Sequence, residues 1–183
     1  MATRSEAQAQ MDKALEAMRR EFSGVRTGKA SPALLDTIRV DAYGSKMPIN
    51  QVASVSVPEP RLMIVQPWDK NLLPIVEKAI RTGELGLNPA NDGNVIRVPI
   101  PPLNEERRRE MVKLLHKLAE EGRVAIRHVR QEANKGIKAE EHAHEISEDD
   151  ARRAMDEIQK LTDEYIAKVD QLLKAKEEEV MEV

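Results

Sequence analysis

All 10 prolines of this 183-residue chain fall between Pro32 and Pro102, and none lies on either side of that window. Proline lacks the amide proton that a helix interior needs, and its ring collides with the preceding turn, at a cost of about 3 kcal/mol. The two flanks are therefore free to form long helices and the middle is not. Apolar spacing divides the chain at the same places. From Met11 the series Met11, Leu15, Met18, Phe22, Val25 marks one narrow helical stripe. That helix is expected to end near Thr27-Gly28, where glycine can take a left-handed cap conformation.

Inside the proline-rich window, alternation replaces helical spacing. Ile38, Val40 and Ala42 alternate with Arg39 and Asp41, and Gly44-Ser45 offers a turn. Val55 and Val57 alternate with Ser54 and Ser56; Leu62 and Ile64 follow, and Ile96, Val98 and Ile100 come late. Each reads as a short, half-buried strand. One helix interrupts them at residues 72–81, with Asn71 as N-cap, Pro74 in the first turn and Gly83 as its end. The window, residues 31–104, thus reads as a small β/α/β domain with a core of its own.

Helical spacing then resumes. Asn104 can cap a helix over 104–143, and Glu105 and Glu106 sit favourably in its first turn. Met111, Leu115, Leu118, Ala125, Val129 and Ile137 mark its expected buried face, with Gly122 at the missing step. Ser147, followed by Asp150 and preceded by Ile146, announces a third helix. Its stripe runs through Met155, Ile158, Leu161, Tyr165, Val169 and Leu172. At 1.5 Å per residue the middle helix would be roughly 58 Å long. A compact globule of this chain length is only about 40 Å across. The expected fold is therefore α+β: an elongated three-helix bundle built from residues 1–30 and 105–183, with the β/α/β domain inserted. The chain crosses between them twice, at Gly28, Lys29, Ala30, Ser31 and at Pro102, Leu103, Asn104, which together read as a double-stranded hinge.

Composition removes several functions. There is no cysteine, hence no disulfide framework, zinc-thiolate site or cysteine nucleophile. No apolar run reaches the roughly 18 residues of a membrane span, and the start MATRSEAQAQ carries no hydrophobic signal core. A cytoplasmic chain with no membrane partner is expected. Phe22, Tyr43, Trp68 and Tyr165 are the only aromatics, too few for a base-stacking platform. The segment Gly24 to Ser31 looks like a phosphate loop, but its glycines are too close, Ala30 follows Lys29, and a helix precedes it. His142 and His144, flanked by Glu141 and Glu145, would point about 200° apart on a helix, which favours a solvated helix end over a shared metal. His116 and His128 have no obvious carboxylate partner at helical spacing that would mark a catalytic pair, and no serine stands in a nucleophile elbow. No catalytic residue, cofactor or metal is expected.

Charge is less bland than its net value of −3 implies. Residues 105–138 carry an excess of four positive charges and residues 139–183 an excess of nine negative ones. On the middle helix Arg109, Lys113, Lys117, Arg123, Arg127 and Arg130 recur mainly at three- and four-residue steps, so much of the set shares a face. Arginine favours two-point recognition of phosphate. With so few aromatics, any RNA would be read through its backbone and shape. The competing reading is a solvated helix in a coiled-coil adaptor or chaperone, its arginines serving solubility and surface ion pairs.

Arg26-Thr27-Gly28-Lys29-Ala30-Ser31-Pro32 resembles the hinge signature of the ribosome recycling factor family. Leu85-Gly86-Leu87-Asn88-Pro89, Ile96 through Leu103, and Glu105-Glu106-Arg107-Arg108 resemble it too. Val124 through Arg130 and Glu145 through Asp150 extend the likeness over the whole chain. The resemblance implies an L-shaped monomer whose bundle binds large-subunit ribosomal RNA on the intersubunit face after termination. It implies elongation factor G as the partner that hydrolyses GTP and drives subunit separation. Carried over by residue, Arg127 and Arg130 are the main RNA contacts, with Arg26, Lys29, Arg107 and Arg108 near the hinge. Lys29 stands where the family often has arginine, and Gln131 where a second arginine is common. Both departures are expected to weaken RNA contact modestly and to leave the fold alone.

Overall fold

The computed structural model describes residues 4–182. In chain order its elements are α1 (Arg4–Ser23), β1 (Arg39–Ala42), β2 (Ser45–Pro48), β3 (Ala53–Glu59), β4 (Leu62–Pro67), α2 (Leu73–Thr82), β5 (Ala90–Asn91), β6 (Ile96–Pro99), α3 (Glu105–His142) and α4 (Glu148–Met181). They fall into two compact units. One comprises the chain up to Val25 together with everything from Arg109 onward; the other is Arg26–Arg108.

The first unit is helical. Ala7, Met11, Leu15, Met18 and Phe22 of α1, and Val25 just beyond it, share one core with α3 and α4. A 20-residue helix with so narrow a stripe gains most of its stability from that packing. α1 ends at Ser23, earlier than the sequence suggests. The Gly24 amide donates to both Arg20 and Glu21 carbonyls, and the Val25 amide to Phe22, so the last turn tightens and stops. Gly28 does adopt a positive φ of 79°, but beyond the helix. A Cβ there would lie 3.6 Å from Leu103 Cγ, so this glycine shapes a loop and caps nothing.

α3 begins on Asn104, whose side-chain oxygen accepts the Arg107 amide at 2.8 Å. Its buried face is Leu115, Ala119, Gly122, Ile126, Ala133 and Ile137. Met111, Leu118 and Val129 border that face, and Ala125 is only half-buried. The expected face was thus turned slightly, because the large side chains drew it away from the small ones. Small residues sit where helices approach closely: a Cβ on Gly122 would stand 2.9 Å from Met18 Sδ. α4 opens as expected on Ser147, whose Oγ accepts the Asp150 amide at 3.1 Å and donates to Asp150 Oδ2 at 2.7 Å. In its stripe Leu173 is buried where Leu172 was expected. Thr162, fully buried, donates its hydroxyl to the Ile158 carbonyl at 2.7 Å. Tyr165, 1% exposed, donates its hydroxyl to Asp12 of α1. Lys168 Nζ stands 4.1 Å from the centre of the Tyr165 ring.

In the second unit β1 and β2 form an antiparallel pair through Tyr43-Gly44, both at positive φ as a tight hairpin requires. The larger sheet has the antiparallel order β3-β4-β6-β5. β2 and β5 lack apolar alternation and were not legible beforehand. On β4 the fully buried residues are Met63 and Val65, with Leu62 and Ile64 half-buried. This is the face opposite to the Leu62 and Ile64 parity that the sequence predicts, because four consecutive apolar residues favour neither parity. On β3 Ala53 is buried and Val57 exposed. The helix cap also moves: Asp69 Oδ1 accepts the Asn71 amide at 2.9 Å in a 3-10 turn over Lys70–Leu72, and α2 follows directly. Two segments of this unit, one before β1 and one after β6, attach to the β3–β4 turn. The Ala30 amide donates to the Pro60 carbonyl at 2.6 Å and the Ile100 amide to the Arg61 carbonyl at 2.8 Å.

Two stability predictions follow from the helical core. Gly122→Val forces a branched side chain into Met18 and is expected to destabilise the fold by about 1–3 kcal/mol, read as a lowered melting temperature. Burial, and then the Asp12 carboxylate, push the Tyr165 hydroxyl from 10.0 up to about 12. The fold therefore favours the protonated phenol. Its contribution is complete below pH 10 and is lost as pH rises through about 12. Denaturant midpoints measured from pH 8 to 12 should decline less steeply in Tyr165→Phe than in the parent chain.

Candidate nucleic-acid interface

Successive helix residues are rotated by about 100°, which places Arg109 and Arg127 on one line of α3, with Lys113 about 40° to one side and Arg123 and Arg130 about 40–60° to the other. The buried stripe lies beyond Arg123 and Arg130, so those two side chains emerge next to α4. Arg127 emerges farther from it.

Arg123 is the most firmly held. Its Nη2 and Nε donate to Asp170 Oδ1 of α4 at 2.6 and 3.1 Å, and its Nη1 donates to Glu120 Oε2 at 3.0 Å. Its side chain is 19% exposed. Arg127 donates through Nη1 to the other oxygen of the same carboxylate, Glu120 Oε1, at 2.9 Å. Hydrogen bonds from Arg123 and then Arg127 hold the Glu120 carboxyl below the usual carboxylate range. Arg130 meets a neutral partner, donating through Nη1 to Gln159 Oε1 at 3.2 Å; Gln159 in turn donates to Asp163. Beyond Arg130 an open groove of about 630 Å³ is bordered by Asn134, Lys135, Lys138 and His142. The Asn134 side-chain oxygen is buried there without a hydrogen-bond partner. Val124, 54% exposed, lies on the same outer side of α3.

The basic residues singled out from the sequence do not form one patch. Arg123, Arg127 and Arg130 are brought together. Arg109 and Lys113 border a separate groove of about 540 Å³ with Glu177, Glu178 and Met181. Lys113 lies about 21 Å along the helix from Arg127. Carboxylates beside it make that groove a poorer place for a phosphate. Arg26, Lys29, Arg107 and Arg108 belong to the other compact unit. The Lys29 amide leans on Thr27 Oγ1 at 3.4 Å, and Arg107 is exposed in the first turn of α3. Lys135 and Lys138, eight and eleven residues beyond Arg127, carry the basic face onward, outside the set that the sequence motifs mark. His116 does have a carboxylate neighbour: its Nε2 lies against Glu177 on α4. Spacing along one helix could not reveal a partner contributed by another.

Among the described residues no group of three His, Cys, Asp or Glu could hold a metal. No described helix is long and apolar enough to cross a membrane. Phe22 and Tyr165 are buried, and Tyr43 and Trp68 lie in the other unit. α3 therefore offers guanidinium and ammonium groups and no aromatic face, the chemistry for phosphates and not for unstacked bases.

The two ends of this trio should separate in a stability measurement. Arg123→Ala removes a clasp to Asp170 and some packing of the arginine stem, and is expected to cost about 1 kcal/mol in chemical unfolding. Arg130→Ala, with one neutral partner, should change it by no more than about 0.5 kcal/mol.

Comparison with known proteins agrees with the motif likeness. The family model described as ribosome recycling factor matches residues 18–181. The ribosome-recycling factor of Symbiobacterium thermophilum is 54% identical over 178 residues, covering 97% of this chain and 96% of that protein. That of Rubrobacter xylanophilus is 55% identical over 179 residues, covering 98% and 96%. A solution structure of ribosome recycling factor superposes with a TM-score of 0.77 at 52% identity, over 98% of this chain and 95% of the other. A structure of the T. thermophilus factor, placed with E. coli elongation factor G on the post-termination complex, gives 0.69 at 48% identity, covering 97% and 96%. On a family match across nearly all of its length and identity above half, this chain belongs to the ribosome recycling factor family.

Proposed function

We propose that this chain binds the post-termination ribosome and, with elongation factor G hydrolysing GTP, separates the subunits for a new round of translation. It performs no covalent chemistry itself and works in the cytoplasm as a monomer. The family membership supports this reading, as does the T. thermophilus relative placed with elongation factor G on the post-termination complex. The observation that carries it to residues is the arginine trio on one unbroken 38-residue helix. A rigid element bearing guanidinium groups at fixed spacing fits the regular phosphates of folded large-subunit RNA.

Within that reading Arg127 and Arg130 are the principal RNA contacts, and Lys113, Arg109, Arg26, Lys29, Arg107 and Arg108 extend the footprint. Arg123, tied to Asp170, contributes mainly charge and position. The domain from 31 to 104 relays the partner's push about the crossings at Gly28–Ser31 and Pro102–Asn104. The first crossing is hydrogen-bonded to the Pro60 carbonyl through Ala30, and Ile100, two residues before the second, to the Arg61 carbonyl.

Charge reversal of Arg127 and Arg130 together should lower cosedimentation with large subunits by at least tenfold at moderate salt. Affinity for the unaltered chain should fall steeply as salt rises, by roughly one power of salt per phosphate contacted. Salt-independent binding would favour a protein-contact reading of α3. A subunit-splitting assay should show activity only with elongation factor G and GTP both present.

A further inference from the structure

Glu120 sits between Arg123 and Arg127 of α3 and pairs with both. Its two carboxylate oxygens are each taken by a different guanidinium, Oε2 by Arg123 at 3.0 Å and Oε1 by Arg127 at 2.9 Å. Two non-bridging oxygens of a phosphate would present the same pair of acceptors. The two arginines are not equally bound. Arg123 has a second anchor in Asp170, through Nη2 at 2.6 Å and Nε at 3.1 Å. The ion pair recorded for Arg127 is with Glu120, and its side chain is 44% exposed. Glu120 is itself exposed, at 51% of its side chain, so the pair opens to solvent with little disturbance of the core.

We propose that Glu120 is an internal stand-in for phosphate: it holds the Arg127 guanidinium until backbone phosphate displaces it, and so sets the affinity of the RNA-binding face. This rests on the RNA-binding reading of Arg127 given above. Binding then exchanges one anion for another. Arg127 leaves Glu120 for RNA while Asp170 keeps Arg123 in place. The exchange lowers affinity below what the arginines would give alone, which suits a factor that must leave once the subunits part. It also favours phosphates presented at the right spacing over diffuse polyanions, because only a well-placed anion competes with an internal carboxylate that Arg123 already holds in position.

The test measures affinity for purified large ribosomal subunits over a range of salt concentrations, with melting temperatures confirming that each variant is folded. Glu120→Gln is expected to bind about two- to five-fold tighter, the scale of a released exposed ion pair. Glu120→Asp keeps the charge but is too short to span both guanidiniums, and should recover most of that gain. Glu121→Gln, about 100° further round the helix, should gain less. In an Arg127→Ala background the effect of Glu120→Gln should vanish. Unchanged or weaker binding by Glu120→Gln would overturn the proposal, as Glu120 would then be positioning Arg127 for RNA. An equal gain from Glu121→Gln would overturn it too, as a general effect of charge. If Arg127→Ala alone binds as tightly as the parent chain, the RNA-binding assignment of Arg127 fails and the proposal with it.

Discussion

The burial of three narrow apolar stripes against one another is the constraint on which the helical unit depends. None of the helices is apolar enough to stand alone, and each needs the other two to exclude water from its stripe. Because the stripe of α3 is narrow, most of its circumference remains available for charge. The 3.6-residue period then fixes where each charged side chain emerges relative to the core. Arg123 and Arg130 flank the buried stripe and meet α4; Arg127 faces outward. The same packing that stabilises the unit therefore decides which arginines are tethered and which are available.

Close approach at Gly122 tightens this arrangement. With no Cβ there, Met18 of α1 settles against the α3 backbone. On the other side Tyr165 reaches from α4 to Asp12 of α1. These contacts hold helices of very different charge together without relying on that charge. The acidic excess of α4 is instead used locally, at Asp170 and Asp163, to steady Arg123 directly and Arg130 through Gln159. Exposed ion pairs of this kind add little stability each. Their larger effect is geometric, since a guanidinium held at its outer end needs less ordering when a ligand arrives.

Much of this was legible beforehand where one rule acted alone. Proline exclusion marked the helical flanks, and the Ser147–Asp150 pair marked a helix start that the hydrogen bonds reproduce. Legibility failed where two rules competed or where the signal was absent. The run Leu62–Val65 is apolar on both parities, so only packing against α2 and the rest of the sheet chose Met63 and Val65 as the inner pair. Ala119 and Ala133 were overlooked beside larger neighbours, because burial at a close helix crossing favours small side chains that a hydrophobicity pattern underweights. Asp69 outcompeted Asn71 as a cap by lying two residues earlier, before a 3-10 turn.

What the amino-acid order determined by itself was the set of elements and their chemistry: proline-free helices, a strand-rich insert, a basic segment followed by an acidic one, and motifs of one family. Those properties are local, set by backbone sterics and side-chain periodicity within a few turns. What only the tertiary structure decided was pairing between elements. Arg123 with Asp170, His116 with Glu177 and Tyr165 with Asp12 join residues far apart in sequence, and their meeting depends on the rotation of one packed helix against another. A small turn of a helix exchanges one charged neighbour for the next, and no spacing rule within a single helix contains that angle.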